Sequence, residues 1–190
     1  MNRRSIIALV AVAFGLGGST ATLAWFASGY TKEPVLSNGR PAWTEVAWPF
    51  APDEWGKGKA FRCEGSNCGA EVNLYIRAKL GFCNCETGIA DDADLDRMGD
   101  LYLVGGQVTA LAAGRPITVG HMTGRSRVYA LSARSPLGKT AISAAFNDRC
   151  DMIVATVLFP HDRPDAIEPK AIEFLNGKTV MRWAEVTLGL

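Results

Sequence analysis

The stretch EVNLYIRAKLGF, residues 71–82, decides the fold class of this chain. Apolar residues recur at every second position from Val72 to Phe82, and polar residues occupy most of the positions between them. An alternation of period two over eleven residues predicts a β-strand with one buried and one solvated face. Because sheets that are solvated on one face are commonly antiparallel, we expect an antiparallel sheet.

Shorter patterns on both sides of this stretch predict further strands and two short helices. A hairpin is expected at residues 60–68, with a polar turn between Cys63 and Cys68. Residues 91–98 begin with aspartates, which the positive end of a helix dipole favours, and they predict the first helix. Residues 168–175 predict the second. Together these elements indicate an α+β fold with a predominantly antiparallel sheet. The other predicted strands are residues 101–111, 117–121, 127–132, 140–146, 152–159 and 179–188.

Residues 1–30 predict a membrane anchor or a signal peptide. Arg3 and Arg4 precede a run without charge from residue 5 to residue 31, and a spanning helix needs about 20 such residues. The basic start predicts a cytoplasmic N-terminus, and Trp25 and Phe26 are typical of a membrane interface. A cleaved signal stays open as the alternative because small residues occupy suitable positions. We expect a single-pass inner-membrane protein with a periplasmic C-terminal domain or, after cleavage, a protein secreted to the periplasm.

Residues 31–59 are rich in proline and tryptophan and predict a tether that packs onto a single periplasmic domain, residues 60–190. Three tryptophans of this segment, Trp43, Trp48 and Trp55, are candidates for a partner surface. Packing against the core is the preferred interpretation because aromatic side chains dominate core burial. About 160 residues follow the first 30, which is enough for one domain.

The charge balance excludes some ligand classes. Without Arg3 and Arg4 the 20 basic residues become 18, against 19 acidic ones, so the basic excess of a nucleic-acid-binding surface is missing. Residues 133–140, ARSPLGKT, imitate a phosphate-binding loop, but the sequence that follows has little helical character. We therefore expect no nucleic acid, no nucleotide and no cofactor.

The five cysteines predict disulfides, because an exported domain matures where thiols are oxidised. Cys63 and Cys68 are expected to pair across the hairpin turn. Cys83 and Cys85 are residues i and i+2 of a strand, about 6.6 Å apart, and are poor partners for each other. One of them is expected to bridge Cys150, which leaves the other as an odd thiol; which one is bridged stays open.

A zinc or copper site formed by Cys63, Cys68, Cys83 and Cys85 is the alternative for these thiols. If residues 71–82 form one strand, its ends lie about 36 Å apart, so the two pairs do not reach one ion without a sharp bend. We therefore favour no metal site.

The remaining candidate residues are acidic side chains and histidines. Asp91, Asp92 and Asp94 are interpreted as solvated carboxylates at a helix start and are candidates for a partner surface. His121 and His161 are the two histidines, and a small hydrolase using either of them with a carboxylate is one alternative function.

These observations favour a non-enzymatic, membrane-anchored periplasmic domain that binds or helps to assemble another envelope protein, with its glycine-rich loops as contact surface. No pattern in the sequence indicates a catalytic residue. A periplasmic thiol- or metal-handling protein that uses the cysteine pairs is the first alternative, and the small hydrolase is the second.

Overall fold

An antiparallel β-sheet of eight strands forms the centre of the computed structural model. The structure describes residues 42–81, 86–132, 138–160 and 163–190, all within the compact unit Pro34–Leu190. In this part of the chain every strand pairs antiparallel with its neighbours, in the order β1-β2-β3-β8-β7-β6, and β4 and β5 both pair with the outer edge of β6. The strands are β1 (Trp43–Val46), β2 (Lys59–Cys63), β3 (Val72–Lys79), β4 (Val108–Ala110), β5 (Arg115–Val119), β6 (Met122–Leu131), β7 (Thr140–Asp148) and β8 (Asp151–Phe159).

Four short α-helices and one 3-10 helix complete the described fold, which is therefore α+β as predicted. The prediction of two helices was too low. The helices are α1 (Gly65–Cys68), α2 (Asp92–Met98), α3 (Pro164–Leu175) and α4 (Lys178–Leu188), and the 3-10 helix is Leu101–Val104.

The main hydrophobic core lies between the sheet and helices α3 and α4. We call this side of the sheet the α3–α4 face. Phe61, Leu74 and Phe146 project from the strands into this core and are at most 2% exposed. Helix α3 contributes Ile167 and Leu175 to the same cluster. Burial of apolar surface at about 25 cal/mol per Å² makes this layer the main stabilising contact of the domain.

The other side of the sheet, which we call the α2 face, is covered by residues 46–58, α2 and the 3-10 helix. Two smaller apolar clusters lie there, one around Tyr75 and Leu158 and one around Leu95 and Val154. The alternation of β3 predicted that Arg77 and Lys79 face water, and this prediction was wrong. Both side chains are buried, at 1% and 3% exposure, because segments distant in sequence cover them.

The last predicted strand, residues 179–188, is helix α4. Apolar residues in this segment satisfy a helical period as well as an alternating one, and the helix buries Val180, Ala184 and Leu188, which are four residues apart. Gly189 ends the helix in the left-handed conformation, at φ 71°, that glycine adopts without steric cost.

Three further predictions needed correction. The turn expected between Cys63 and Cys68 is the one-turn helix α1. The strand expected at residues 101–111 is the 3-10 helix followed by the three-residue strand β4. The sheet starts before residue 60, because β1 lies in the predicted tether and pairs with β2.

The remaining strand predictions and the helix at residues 91–98 are confirmed, with boundaries that shift by a few residues. No helix in the described part of the chain is long and apolar enough to span a membrane. The predicted anchor or signal peptide, residues 1–30, lies outside the described residues.

Candidate functional site

A layer of charged side chains separates the α2 face of the sheet from the segment that covers it. Asp92, Asp96 and Asp100 are four residues apart, so the helical spacing of α2 brings the first two to one side. We call these three residues the aspartate ladder. Each accepts hydrogen bonds from at least one arginine of the sheet, and those arginines are Arg125 and Arg127 of β6 and Arg77 of β3.

The buried end of the ladder is the contact of Asp100 with Arg77 and Lys79. Arg77 donates to both carboxylate oxygens, from Nη2 at 2.6 Å and from Nε at 2.9 Å. The Lys79 ammonium lies 2.9 Å from Asp100 Oδ1 and donates to the carbonyl oxygen of Met98 at 2.7 Å. A bidentate arginine–carboxylate pair fixes geometry as well as charge, so this contact orients the chain where α2 ends.

Asp53 and Tyr102 extend the same network to the surface. Arg77 donates to Asp53 at 2.6 Å, and the Tyr102 hydroxyl donates to the second oxygen of Asp53, also at 2.6 Å. The hydrogen bond from Arg77, followed by that from Tyr102, holds the pKa of Asp53 well below its ordinary value. Burial alone would lower the pKa of Arg77, but the bonds to Asp100 and Asp53 outweigh burial and raise it. Asp53 and Arg77 therefore stay charged at neutral pH.

The other end of the ladder lies over β6. Arg125 donates to Asp92 Oδ1 from Nη2 at 2.7 Å and from Nε at 3.0 Å, and the Gly114 amide donates to Oδ2 at 2.9 Å. The Gly114 bond, followed by that from Arg125, lowers the pKa of Asp92. Asp96 accepts from Arg127 at 2.9 Å and from the Tyr129 hydroxyl. Burial, followed by this bond to Asp96, raises the pKa of Tyr129, so its hydroxyl remains a donor.

Two buried hydroxyls lie between the ends of this layer. Ser143 of β7 and Thr156 of β8 are paired in register, so their side chains share the α2 face. Both residues are at most 2% exposed, and neither hydroxyl has a hydrogen-bond partner. Ser143 Oγ points at Gly99, where a Cβ atom would come within 2.8 Å of it. Unpaired buried polar groups are uncommon and call for a specific explanation.

A separate ion pair crosses the α3–α4 face. Glu168 of α3 is 3% exposed, accepts from the Ser126 hydroxyl at 2.5 Å and lies 2.5 Å from Arg115 Nη2. Ser126 is itself buried, at 1% exposure, and bonds a carboxylate rather than an imidazole. This arrangement joins α3 to strands β5 and β6.

No protein-family model matches this chain, and no curated protein sequence matches it. Among solved structures, the chain is similar to the solution structure of cyanobacterial PsbP (CyanoP) from Synechocystis sp. PCC 6803. The TM-score is 0.38 and the sequence identity is 13%, over 73% of this chain and 79% of that one. A likeness at this level transfers no site and no activity.

The cysteines that the structure describes are disulfide-bonded. Cys63 and Cys68 are joined to each other, with Cα atoms 6.0 Å apart, and both residues are buried. They are not cross-strand neighbours, since Cys63 pairs in register with Val72 and α1 brings Cys68 back to it. Cys150 is also disulfide-bonded. Cys83 and Cys85, of which one was predicted to bridge Cys150 and the other to remain an odd thiol, lie outside the described residues.

The metal alternative needs Cys63 and Cys68 as thiolates. In the disulfide their sulfurs carry no charge and are not thiolate ligands. Over the described residues, no group of three or more histidine, cysteine, aspartate or glutamate side chains is placed to hold a metal ion.

The three candidate tryptophans lie in different surroundings. Trp43 stacks on Phe174 with ring centroids 4.9 Å apart, and Trp48 meets the Tyr75 ring edge to face at 6.0 Å. These two rings pack on opposite faces of the sheet, as the core interpretation predicted. Trp55 lies 5.3 Å from the Lys79 ammonium, in a cation–π contact beside the Asp100 network.

The candidate aspartates have roles within the fold. Asp91 caps α2 by accepting the Asp94 amide at 2.8 Å, as the sequence indicated for a helix start. Asp94 accepts from Arg97 at 2.6 Å in the next turn. Asp92, interpreted as a solvated carboxylate at the helix start, is partly exposed and also pairs with Arg125, which lies 33 residues further along the chain.

The histidine candidates receive no support from the described residues. His121 is exposed in the two-residue turn between β5 and β6, where Gly120 has φ 61°. No hydrogen bond or ion pair to His121 occurs in the described part of the chain, so no carboxylate orients it there. His161 lies outside the described residues.

Exposed apolar side chains follow directly after the aspartate ladder in the sequence. Tyr102, Val108 and Leu111 are 58%, 40% and 56% exposed, and they are three of the six large hydrophobic residues found exposed in the described part of the chain. We call them the 102–111 surface. Gly105 and Gly106, both with positive φ, separate the first member from the other two. The sequence had marked this glycine-rich stretch, but not the exposure of its apolar residues.

Proposed function

We propose that this chain is a membrane-tethered periplasmic domain that binds another envelope protein and assists its assembly. The apolar, positively flanked N-terminal run supports attachment to the inner membrane with the domain outside the cytoplasm. If the run is cleaved, the same domain acts as a free periplasmic protein.

The buried Cys63–Cys68 disulfide supports an oxidising compartment. Structural disulfides persist outside the cytosol and are rare inside it. A bridge whose two residues are 0% and 2% exposed is protected from exchange with other thiols, so we assign it to stability rather than to redox chemistry.

The observation that carries the binding role is the 102–111 surface. Three large apolar side chains are exposed within ten residues of the chain, and two of them, Val108 and Leu111, lie in or next to edge strand β4, where a partner can cover them. Binding of a partner would remove this area from solvent and stabilise the complex. Strand β4, which contains Val108, has only three residues, and this favours side-chain contacts over addition of a partner strand.

The arrangement of ionisable groups favours binding over catalysis. The buried charged residues of the described chain, Arg77, Lys79, Asp100 and Glu168, bond one another or neighbouring polar groups. A general acid or base needs a perturbed group that faces a substrate, and each of these faces a partner within the fold.

The test is crosslinking in living cells with the full-length chain carrying an affinity tag, followed by mass spectrometry of the captured neighbours. We expect one envelope protein to be enriched by the wild type and lost by the double variant Val108→Ser/Leu111→Ser. The matched control is Val186→Ser, since Val186 of α4 is 78% exposed and lies outside this surface.

Retention of the same partner by the double variant, or equal loss with Val186→Ser, would contradict a binding role for the 102–111 surface. Circular dichroism of the purified variants checks that each has folded. All three substitutions replace exposed side chains, so we expect changes in unfolding free energy within about 0.5 kcal/mol.

A further inference from the structure

Two carboxylates of helix α2 accept hydrogen bonds from a set of donors that would also bind an acidic peptide of another protein. The donors are the guanidinium groups of Arg125 and Arg127, the Tyr129 hydroxyl and the Gly114 amide, and all four bond Asp92 or Asp96. We call them the donor set. Its occupants are two carboxylates one helical turn apart, about 6 Å along the helix axis.

The donor set is held in position independently of α2. Arg127 Nε donates to the carbonyl oxygen of Ala112 at 2.8 Å, and Arg125 Nη2 donates to that of Gly114 at 2.9 Å. Residues 111–114 form the irregular link between β4 and β5 on the sheet edge. If α2 moved away, these two bonds would still aim both guanidinium groups at the same side of the sheet, so an incoming carboxylate would meet a preorganised site.

The attachment of the first turns of α2 is weak by comparison with its C-terminal end, which is held by the bond from Lys79 to the Met98 carbonyl oxygen. The helix has seven residues and buries one side chain, Leu95. A helix this short is not stable without tertiary contacts. Its ion pairs are partly open to solvent, with side chains of Asp92 and Asp96 that are 26% and 45% exposed, and such pairs contribute little to stability.

A second observation concerns the sheet surface beneath α2, which would become a groove if α2 moved away. Ser143 is fully buried, its hydroxyl has no partner, and it points at Gly99 at the end of α2. Opening of α2 would place this hydroxyl at the floor of the groove, where a ligand oxygen can accept its hydrogen bond. While α2 covers it, the Ser143 hydroxyl has lost its hydration and makes no hydrogen bond that would compensate for that loss.

We propose that α2 is a displaceable cover, and that an acidic helical segment of the partner protein, with two carboxylates one turn apart, takes its place on the donor set. The charge of Arg125 and Arg127 selects an acidic segment, and the geometry that now fits Asp92 and Asp96 selects the spacing. This inference rests on the proposed binding function and adds the chemistry of the partner and a closed state that limits binding.

The test uses a fluorescently labelled peptide of residues 89–100, IADDADLDRMGD, and a control peptide with asparagine at the positions of Asp92 and Asp96. Fluorescence anisotropy measures binding to the purified full-length chain and to its variant Asp92→Asn/Asp96→Asn, in which the cover is weakened. We expect the variant to bind the acidic peptide at least tenfold more tightly than the wild type does. The control peptide should bind at least tenfold more weakly than the acidic one, and 0.5 M salt should abolish binding because it screens partly exposed charges.

Two further variants test where on the protein the acidic peptide binds. Adding Arg127→Gln to the variant should remove binding, whereas adding Arg182→Gln, which changes an exposed arginine of α4, should leave it unchanged. Hydrogen exchange on the wild type should show faster exchange in α2 than in β7 and β8.

The inference is overturned if the folded variant binds both peptides equally or binds neither at 1 mM. Exchange of α2 as slow as that of β7 overturns it as well. Either result leaves the proposed function intact, provided that crosslinking through the 102–111 surface still captures its partner. If the double variant Val108→Ser/Leu111→Ser captures the same partner as the wild type while Asp92→Asn/Asp96→Asn still binds the acidic peptide, the result counts against the proposed function alone.

Discussion

Asp100 contacts two buried cations of one strand, because its carboxylate bonds Arg77 at 2.6 and 2.9 Å and lies 2.9 Å from the Lys79 ammonium. Arg77 and Lys79 are residues i and i+2 of β3 and project to the same side. The α2 face tolerates this charge only while the chain after α2 supplies the carboxylate. The contact therefore couples the central sheet to the segment that covers it.

Replacement of Asp100 by asparagine should lower the unfolding free energy by about 3–5 kcal/mol, because it leaves two buried cations with too little negative charge. Urea denaturation followed by circular dichroism measures the loss. Glu71→Gln is the matched control, since Glu71 is 59% exposed and lies 3.8 Å from Arg62, and it should change the free energy by less than about 1 kcal/mol. Similar losses of unfolding free energy in the two variants would show that the buried contact stabilises the fold no more than an exposed ion pair does.

The stability contributed by Asp53 should depend on pH in a defined direction. Its folded-state pKa is lowered from the ordinary 3.8, chiefly by the hydrogen bond from Arg77, so its contribution is present above about pH 4 and is lost as the pH falls below that value. Thermal unfolding between pH 3 and pH 7 should show Asp53→Asn less stable than the wild type at pH 7, by about 1–2 kcal/mol. The difference should shrink toward pH 3, and a constant difference would contradict the assignment.

Removal of the disulfide in Cys63→Ala/Cys68→Ala should lower the unfolding free energy by about 2 kcal/mol, the chain-entropy value for so short a loop. Urea denaturation under oxidising conditions measures the loss. A reductant should destabilise the wild type more than the variant, because the disulfide of Cys150 is common to both. An unchanged midpoint for the variant would mean that packing around α1 alone holds these residues.

Gly124 of β6 should not tolerate a side chain. A Cβ atom there would lie 1.9 Å from the carbonyl oxygen of Ala145, which belongs to the backbone of the paired strand. We expect Gly124→Ala to cost about 1–3 kcal/mol through overpacking. Gly65→Ala is the control, since its nearest neighbours would lie 3.7 Å away, and it should be neutral or stabilising in thermal unfolding.

Local patterns predicted the elements that have one strong period. Alternation marked β3, and a continuous apolar run marked β8. The four-residue strand β1 was missed, because so short a run within a proline-rich segment shows no period. Residues 179–188 satisfied both periods, and the helix was decided by the core that Val180, Ala184 and Leu188 reach together.

Local sequence patterns did not predict the candidate site, for a different reason. Asp92 and Arg125 are 33 residues apart, and Asp100 and Arg77 are 23 apart, so neither pair leaves a spacing signal in the sequence. The aspartates were recognised as a helix start, which α2 confirms, but a helix start by itself does not identify the opposite charges.

The sequence by itself determined that this chain forms an antiparallel α+β domain and where most of its strands run, because side-chain period follows directly from backbone geometry. It also placed Cys63 and Cys68 close enough to bond. Only the tertiary structure decided whether the polar face of β3 is exposed to solvent. Arg77 and Lys79 of β3 are buried because the chain at the end of α2 returns to cover them with acceptor oxygens, and burial of a charge depends on partners that lie elsewhere in the chain.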